Sequence, residues 1–252
     1  MSGVMALATG LAYVALAATA IFELLRHGRA RGFSHFALAF AAMAFTCGPH
    51  YLVHAWEHLA GGAHEHAPMT AALLIGAIPG VVFVGLRAEA VAGGRGDRLI
   101  RPNRVFAALP WLLAALTGAI VWESLHHAAA VDVDLRALVP NAILAVNYAL
   151  VAYFSARTQV ARRPLLGGWS LSGAAMVGIF ASCALSHMVA GLLSTSTPAM
   201  LAIDNLAVPA SLYFLWAVHR LHRDSLRDWN RRPLVGRASP LGRPSPWSEQ
   251  GA

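Results

Sequence analysis

The chain has 252 residues, 57% of them hydrophobic and only 12% charged, with mean hydropathy +0.55. No soluble domain of this size needs so much apolar sequence, so a polytopic membrane protein is expected. The formal net charge of +7 is carried by arginine alone. Without lysine there can be no retinal Schiff base, and arginine clustered between apolar stretches argues against nucleic acid as a partner.

Seven spans are predicted, at about 4–25, 34–58, 69–87, 105–125, 138–156, 168–193 and 198–219. Span one begins MSGVM, without the positive n-region of a signal peptide, and basic residues follow it, so it reads as a retained helix. It carries Tyr13 and ends near Glu23, for which Arg26 is the expected interfacial partner. Span two, FSHFALAFAAMAFTCGPHYLVHAWEH, is the most informative. Cys47, His50, His54, Glu57 and His58 follow one another at intervals of three, four, three and one. At about 100° per residue they share one side of the helix. Ionisable groups inside hydrocarbon are costly and face a bundle interior or a cavity. The loop HLAGGAHEHAP that follows adds His64, Glu65 and His66, placed to collect ions from outside.

Span three opens at Pro68, and span four ends in Glu123, His126 and His127. Span five holds Asn141, Asn147 and Tyr148, and span six holds Cys183 and His187 at i, i+4. Span seven opens at Pro198 and carries Asp204 and Asn205. From about Asn230 the chain is rich in Pro, Gly, Ser and Arg, the composition of a disordered tail. The expected organisation is a seven-helix membrane domain over 1–229 and a cytoplasmic tail over 230–252.

Arginine clusters in alternate connections: Arg26, Arg29 and Arg31 after span one, Arg87 to Arg104 after span three, and Arg157, Arg162 and Arg163 after span five. The positive-inside rule then puts the N-terminus outside and the C-terminus in the cytoplasm, in the cell membrane. Polar groups of spans two, five, six and seven fall in the outer half of the bundle.

Spans one to three and five to seven share features. Tyr13 and Tyr148 each stand about 35 residues before a Cys, and Cys47 and Cys183 each precede a His. Pro68 and Pro79 match Pro198 and Pro209, with AIPGVVF set against AVPASLY. The pattern predicts two three-helix units of the same orientation, about 4–91 and 138–222, joined by a linking helix at about 105–125.

The unit built from Leu11-Ala12-Tyr13, Glu23 and Cys47-Gly48 followed by His50 resembles the three-helix copper-binding sensor domain of ethylene receptors, here as a degenerate tandem repeat. That resemblance implies copper(I) held by Cys and His of the second helix. His50 stands one residue earlier than the family's His, and Tyr51 takes that place. The family's first-helix Asp and third-helix Lys have no counterpart.

Thiolate and imidazole suit copper or zinc. The expected ligands are His50, His54, His187, Cys47, Cys183 and Asp204. Glu57, His58, Asn147, Asn205, Glu123, His126 and His127 form a second tier. The leading expectation is a copper-binding sensor or ligand-binding module in the lipid bilayer, signalling through a cytoplasmic or membrane partner. Alternatives are metal transport or delivery, a zinc-dependent membrane hydrolase, and a b-type haem protein with His50 or His54 facing His187. Enzyme activity is the less favoured class.

Overall fold

A computed structural model describes residues 2–31, 34–61, 66–101, 104–129 and 133–229. The predicted tail over 230–252, with His64 and Glu65 of the loop, lies outside the described residues. The rest forms an all-α bundle: α1 (Ser2–Arg31), α2 (His35–Leu59), α3 (Ala67–Val91), α4 (Arg104–Ala128), α5 (Leu135–Leu166), α6 (Leu171–Leu193) and α7 (Pro198–Trp229). Two short strands, β1 (Leu99–Ile100) and β2 (Trp169–Ser170), were not anticipated.

Helix ends follow local chemistry. Ser34, Asp134 and Ser170 cap α2, α5 and α6, their side chains accepting from Ala37, Arg136 and Gly173 N–H groups. Pro68 and Pro198 fall where a missing N–H costs nothing. Gly167 ends α5 in the left-handed region.

Among the described residues, six helices (α1, α2, α3, α5, α6 and α7) are long and apolar enough to cross a membrane. Their outward faces are apolar too: Trp56, Ile78 and Leu206 are each more than two-thirds exposed. Such a surface is suited to a lipid bilayer rather than to water.

The packing forms a ring. α1 lies against α2 and α3, α5 lies against α6 and α7, and the two trios meet where α3 touches α6 and α2 touches α7. Exchanging α1 with α5, α2 with α6 and α3 with α7 maps this pattern onto itself. α4 lies outside the ring, against α3 and α6.

Small residues set the crossings, as expected where no hydrophobic force separates helix from lipid. A Cβ at Gly48 of α2 would come within 2.9 Å of Val14 Cγ2 on α1, and one at Gly10 would meet Leu52 at 2.9 Å. At the α3–α6 crossing, a Cβ at Gly178 would sit 2.8 Å from Pro79 Cγ. These crossings bring Tyr13 and the polar side of α2 into the interior.

Along the inside of α2 the residues change character in steps of a turn or two, about 5–10 Å each. Nearest its N-terminus is an aromatic layer. Phe40 packs on Phe83 and Phe214 at 6.1 and 5.6 Å between ring centroids, and Phe180 on Phe214 at 5.1 Å. Next come Met43 and Cys47, then His50, then His54 and His58 at the far end.

One end of the bundle is rich in arginine. There β1 pairs antiparallel with β2, Leu99 opposite Ser170 and Ile100 opposite Trp169, so the α3–α4 and α5–α6 connections share that end. Asp97 fastens them. Its Oδ2 accepts from the Ser170 hydroxyl at 2.6 Å, and its Oδ1 accepts from the Ser172 and Arg98 N–H groups at 2.9 and 2.8 Å. Also at this end, Glu23 pairs with Arg87 of α3. The expected partner, Arg26, is displaced because α1 and α3 bring the Arg87 guanidinium directly to the carboxylate.

Burial raises the pKa of Asp97, but the hydrogen bonds from Ser170, Ser172 and Arg98 outweigh it and hold the carboxyl below its usual range. A depressed folded-state pKa stabilises above the unfolded value of about 3.9 and is lost as pH falls through the folded value. Asp97→Asn should therefore flatten the acid limb of a thermal-melting profile taken from pH 7 to pH 3. The half-exposed site limits the effect to under about 1 kcal/mol. An unchanged acid limb would show that the latch is not formed.

Candidate functional site

The histidine end of the bundle holds a polar cluster built from four helices. His50 of α2, Asn141 of α5, His187 of α6 and Asp204 of α7 are all buried, Asn141 and Asp204 completely. The proline-opened start of α7 places Asp204 on its inward side, a little under two turns in. His50 Nδ1 stands 2.7 Å from Asp204 Oδ1, an ion-pair distance, although its N–H is not aligned for a straight hydrogen bond. His187 Nδ1 is 2.7 Å from Asn141 Oδ1. With the Asn141 oxygen accepting, the ring donates from Nδ1. The Asn141 amide donates to the Ala137 carbonyl at 2.9 Å, with longer contacts to Ser196 Oγ at 3.3 Å and Asp204 Oδ2 at 3.4 Å.

The two imidazoles face each other, with centroids 5.1 Å apart and planes tilted by 50°. The adjacent imidazole and the Asn141 amide are the polar groups that make a carboxylate tolerable in an apolar bundle.

One step closer to the aromatic layer lies a second set of contacts. Cys47 Sγ is 3.1 Å from the Tyr148 hydroxyl and 3.6 Å from Met43 Sδ. Cys183 Sγ contacts the Tyr13 hydroxyl at 2.5 Å and the Tyr51 hydroxyl at 3.8 Å. Each thiol thus meets a tyrosine from the opposite helix trio. Tyr148 also packs on the His187 ring at 5.5 Å, which joins the two sets.

The remaining sequence-predicted residues are dispersed. His54 lies one turn beyond His50, buried, with its ring 4.5 Å from that of His58. Asn147 is buried but donates to Ser211 Oγ at 2.9 Å rather than to an imidazole. Asn205 is exposed and bonds to the Leu201 carbonyl of its own helix. Glu123, His126 and His127 are exposed on α4, where His127 Nδ1 bonds to the Glu123 carbonyl at 2.9 Å.

No family model, curated protein or solved structure matches this chain. The chemistry of the site therefore rests on its own geometry.

Among the described residues, no three His, Cys, Asp or Glu side chains are already gathered around one point as a metal-ion cage. The six expected ligands divide instead. His50 and His187 face each other, and Asp204 backs His50. Cys47 and Cys183 lie with tyrosines, and His54 lies against His58. Asn141, which orients His187, was absent from the expected ligand set. Its signal in the sequence was an amide inside an apolar span at the depth of His187. Tyr13 and Tyr148 had a signal too, in their matching distances to the two cysteines.

Proposed function

We propose that this chain is an integral membrane copper-binding protein, a sensor or ligand-binding module that holds the ion between His50 of α2 and His187 of α6. One observation carries the reading. Two buried imidazoles from different helices face each other at 5.1 Å, His187 with its Nδ1 hydrogen-bonded to Asn141 and His50 with its Nδ1 2.7 Å from an Asp204 oxygen. Metal-binding histidines are tied in this way by a carboxylate or carbonyl on the second ring nitrogen, which fixes the tautomer and leaves the other nitrogen to ligate. Asp204 and Asn141 would be those partners.

The donor set fits copper. Next to the imidazoles stand the thiols of Cys47 and Cys183 and the thioether of Met43, soft donors of the kind that select copper(I). Bound copper would supply an open coordination position for a small uncharged ligand. The protein's part is to orient the rings, exclude water with the apolar bundle and keep the thiols within tyrosine contact.

Arginine distribution supports a seven-span topology with the histidine end outside the cell membrane and the arginine-rich end in the cytoplasm. The self-mapping helix ring and the crossed Tyr–Cys contacts support a tandem three-helix architecture, and with it the ethylene-receptor resemblance. A signal would leave through a separate partner.

Metal transport is the second reading, favoured by a cavity of about 510 Å³ at the arginine-rich end, lined by Arg87, Asp97, Ser155, Gln159 and Asp224 among others. The layer of Phe40, Phe83, Phe180 and Phe214 lies between that cavity and the imidazoles, so the sensor reading is preferred.

The test is metal analysis of the chain purified in nanodiscs. The wild type should hold one copper per chain. His50→Ala/His187→Ala should bind at least about 100-fold more weakly, because both proposed ligands are gone. Copper retained in full by the folded double variant would reject the site. A Soret band would move the reading to haem, and copper uptake into sealed vesicles would move it to transport.

A further inference from the structure

Beyond the facing imidazoles, the histidine end opens into a separate cavity of about 290 Å³. His54, Glu57 and His58 of α2 line it, with His66 at the start of α3 and Thr197 before α7. The intervals of three and four residues put the three α2 groups on one face. Among the described residues, no arginine lines the cavity.

Two observations point to a ligand. His54 is 92% buried, with a relative exposure of 8%, and among the described residues its Nε2 has no hydrogen-bond partner. A buried polar atom without a partner is costly unless something satisfies it. Second, the cavity collects three imidazoles and a carboxylate, all of them metal-ligand types, at one mouth.

We propose that this cavity is a second cation site, distinct from the His50–His187 pair, that captures a borderline divalent transition-metal ion such as Zn²⁺ or Co²⁺ in partly hydrated form. The donors set the class of ion. Imidazole nitrogen with carboxylate oxygen suits divalent zinc, cobalt, nickel and copper, whereas the thiols and thioether that favour monovalent copper lie deeper. The donors ring the cavity without meeting at a point, so water fills the rest of the shell. At about 30 Å³ per water, 290 Å³ accommodates an ion with several. His54 bridges the two regions, since it stands one turn from His50 on the same helix. The capture site stands on its own lining; only its role as the way in to the buried pair rests on the copper reading.

The experiment titrates the full chain in nanodiscs with Co²⁺ and Zn²⁺, following calorimetry and the visible Co²⁺ bands. Wild type should bind one ion, with cobalt bands of nitrogen and oxygen ligation. Glu57→Gln/His58→Ala should weaken this binding at least tenfold and leave copper content unchanged. His66→Ala, a change at a half-buried loop position, provides a second variant that should weaken binding even if the first folds poorly. His50→Ala/His187→Ala should keep the Co²⁺ signal. Co²⁺ binding that is absent in wild type, or unchanged in the mouth variants, overturns the inference. So does a signal lost only with His50 and His187, which would put the ion at the buried pair and leave the copper reading standing.

Discussion

Asp204→Ala should destabilise the bundle by about 3 kcal/mol, the cost of leaving two buried polar groups without their acceptor. Asp204 is fully buried, 2.7 Å from His50 Nδ1 and 3.4 Å from the Asn141 amide. Removing the carboxylate leaves a buried imidazole and a buried amide donor without that acceptor. Asp204→Asn keeps the shape and one acceptor and should cost less, about 1–2 kcal/mol. Replacing both members, as in His50→Leu/Asp204→Leu, should recover much of the loss, because the imidazole goes with the carboxylate and the Asn141 amide still donates to the Ala137 carbonyl. Unfolding in mixed detergent micelles measures all three. An Ala variant within about 0.5 kcal/mol of wild type would mean that the carboxylate is not paired with His50.

With copper held as proposed, Asn141→Ala should weaken its binding by about 10–100-fold, the usual effect of removing a group that orients a ligating histidine. Its oxygen lies 2.7 Å from His187 Nδ1. Without it the ring is free to rotate and to change tautomer, so fewer molecules present the ligating nitrogen. Asn147→Ala is the matched control. Asn147 is a buried amide on the same helix, but it bonds to Ser211. Its loss should lower stability and leave affinity within about threefold, since no imidazole depends on it. Competition against a chromophoric copper chelator reads both. Equal losses of affinity in the two variants would remove Asn141 from the orienting role.

The apolar runs made the helices legible, and the ligand-type residues of α2 and α6 marked the end that carries the polar cluster. Depth along a helix follows from counting residues, so His50, His187, Asp204 and Asn141 were all expected in one half of the bundle. Rotation about each helix axis was harder to read. Asn205 differs from Asp204 by one residue, yet about 100° of turn sends it to the surface. Asn141 and Asn147 are both buried, but only the packing of α6 and α7 decides which of them meets His187. The Glu23 partner was misjudged because sequence proximity favoured Arg26, while the α1–α3 contact delivers Arg87. Strands of two residues have no period to detect, so β1, β2 and the Asp97 latch could not be anticipated.

The crossed tyrosine–thiol contacts have a consequence for how the centre could specialise. A protein assembled from two identical three-helix chains must place the same residue on both sides of its axis, and any change appears twice. One continuous polypeptide escapes that constraint. Three residues after one cysteine stands His50, and three after the other stands Ser186; four residues on, Tyr51 is opposed by His187. The two sides of the site therefore carry unlike residues, with a single buried carboxylate, Asp204, beside one imidazole.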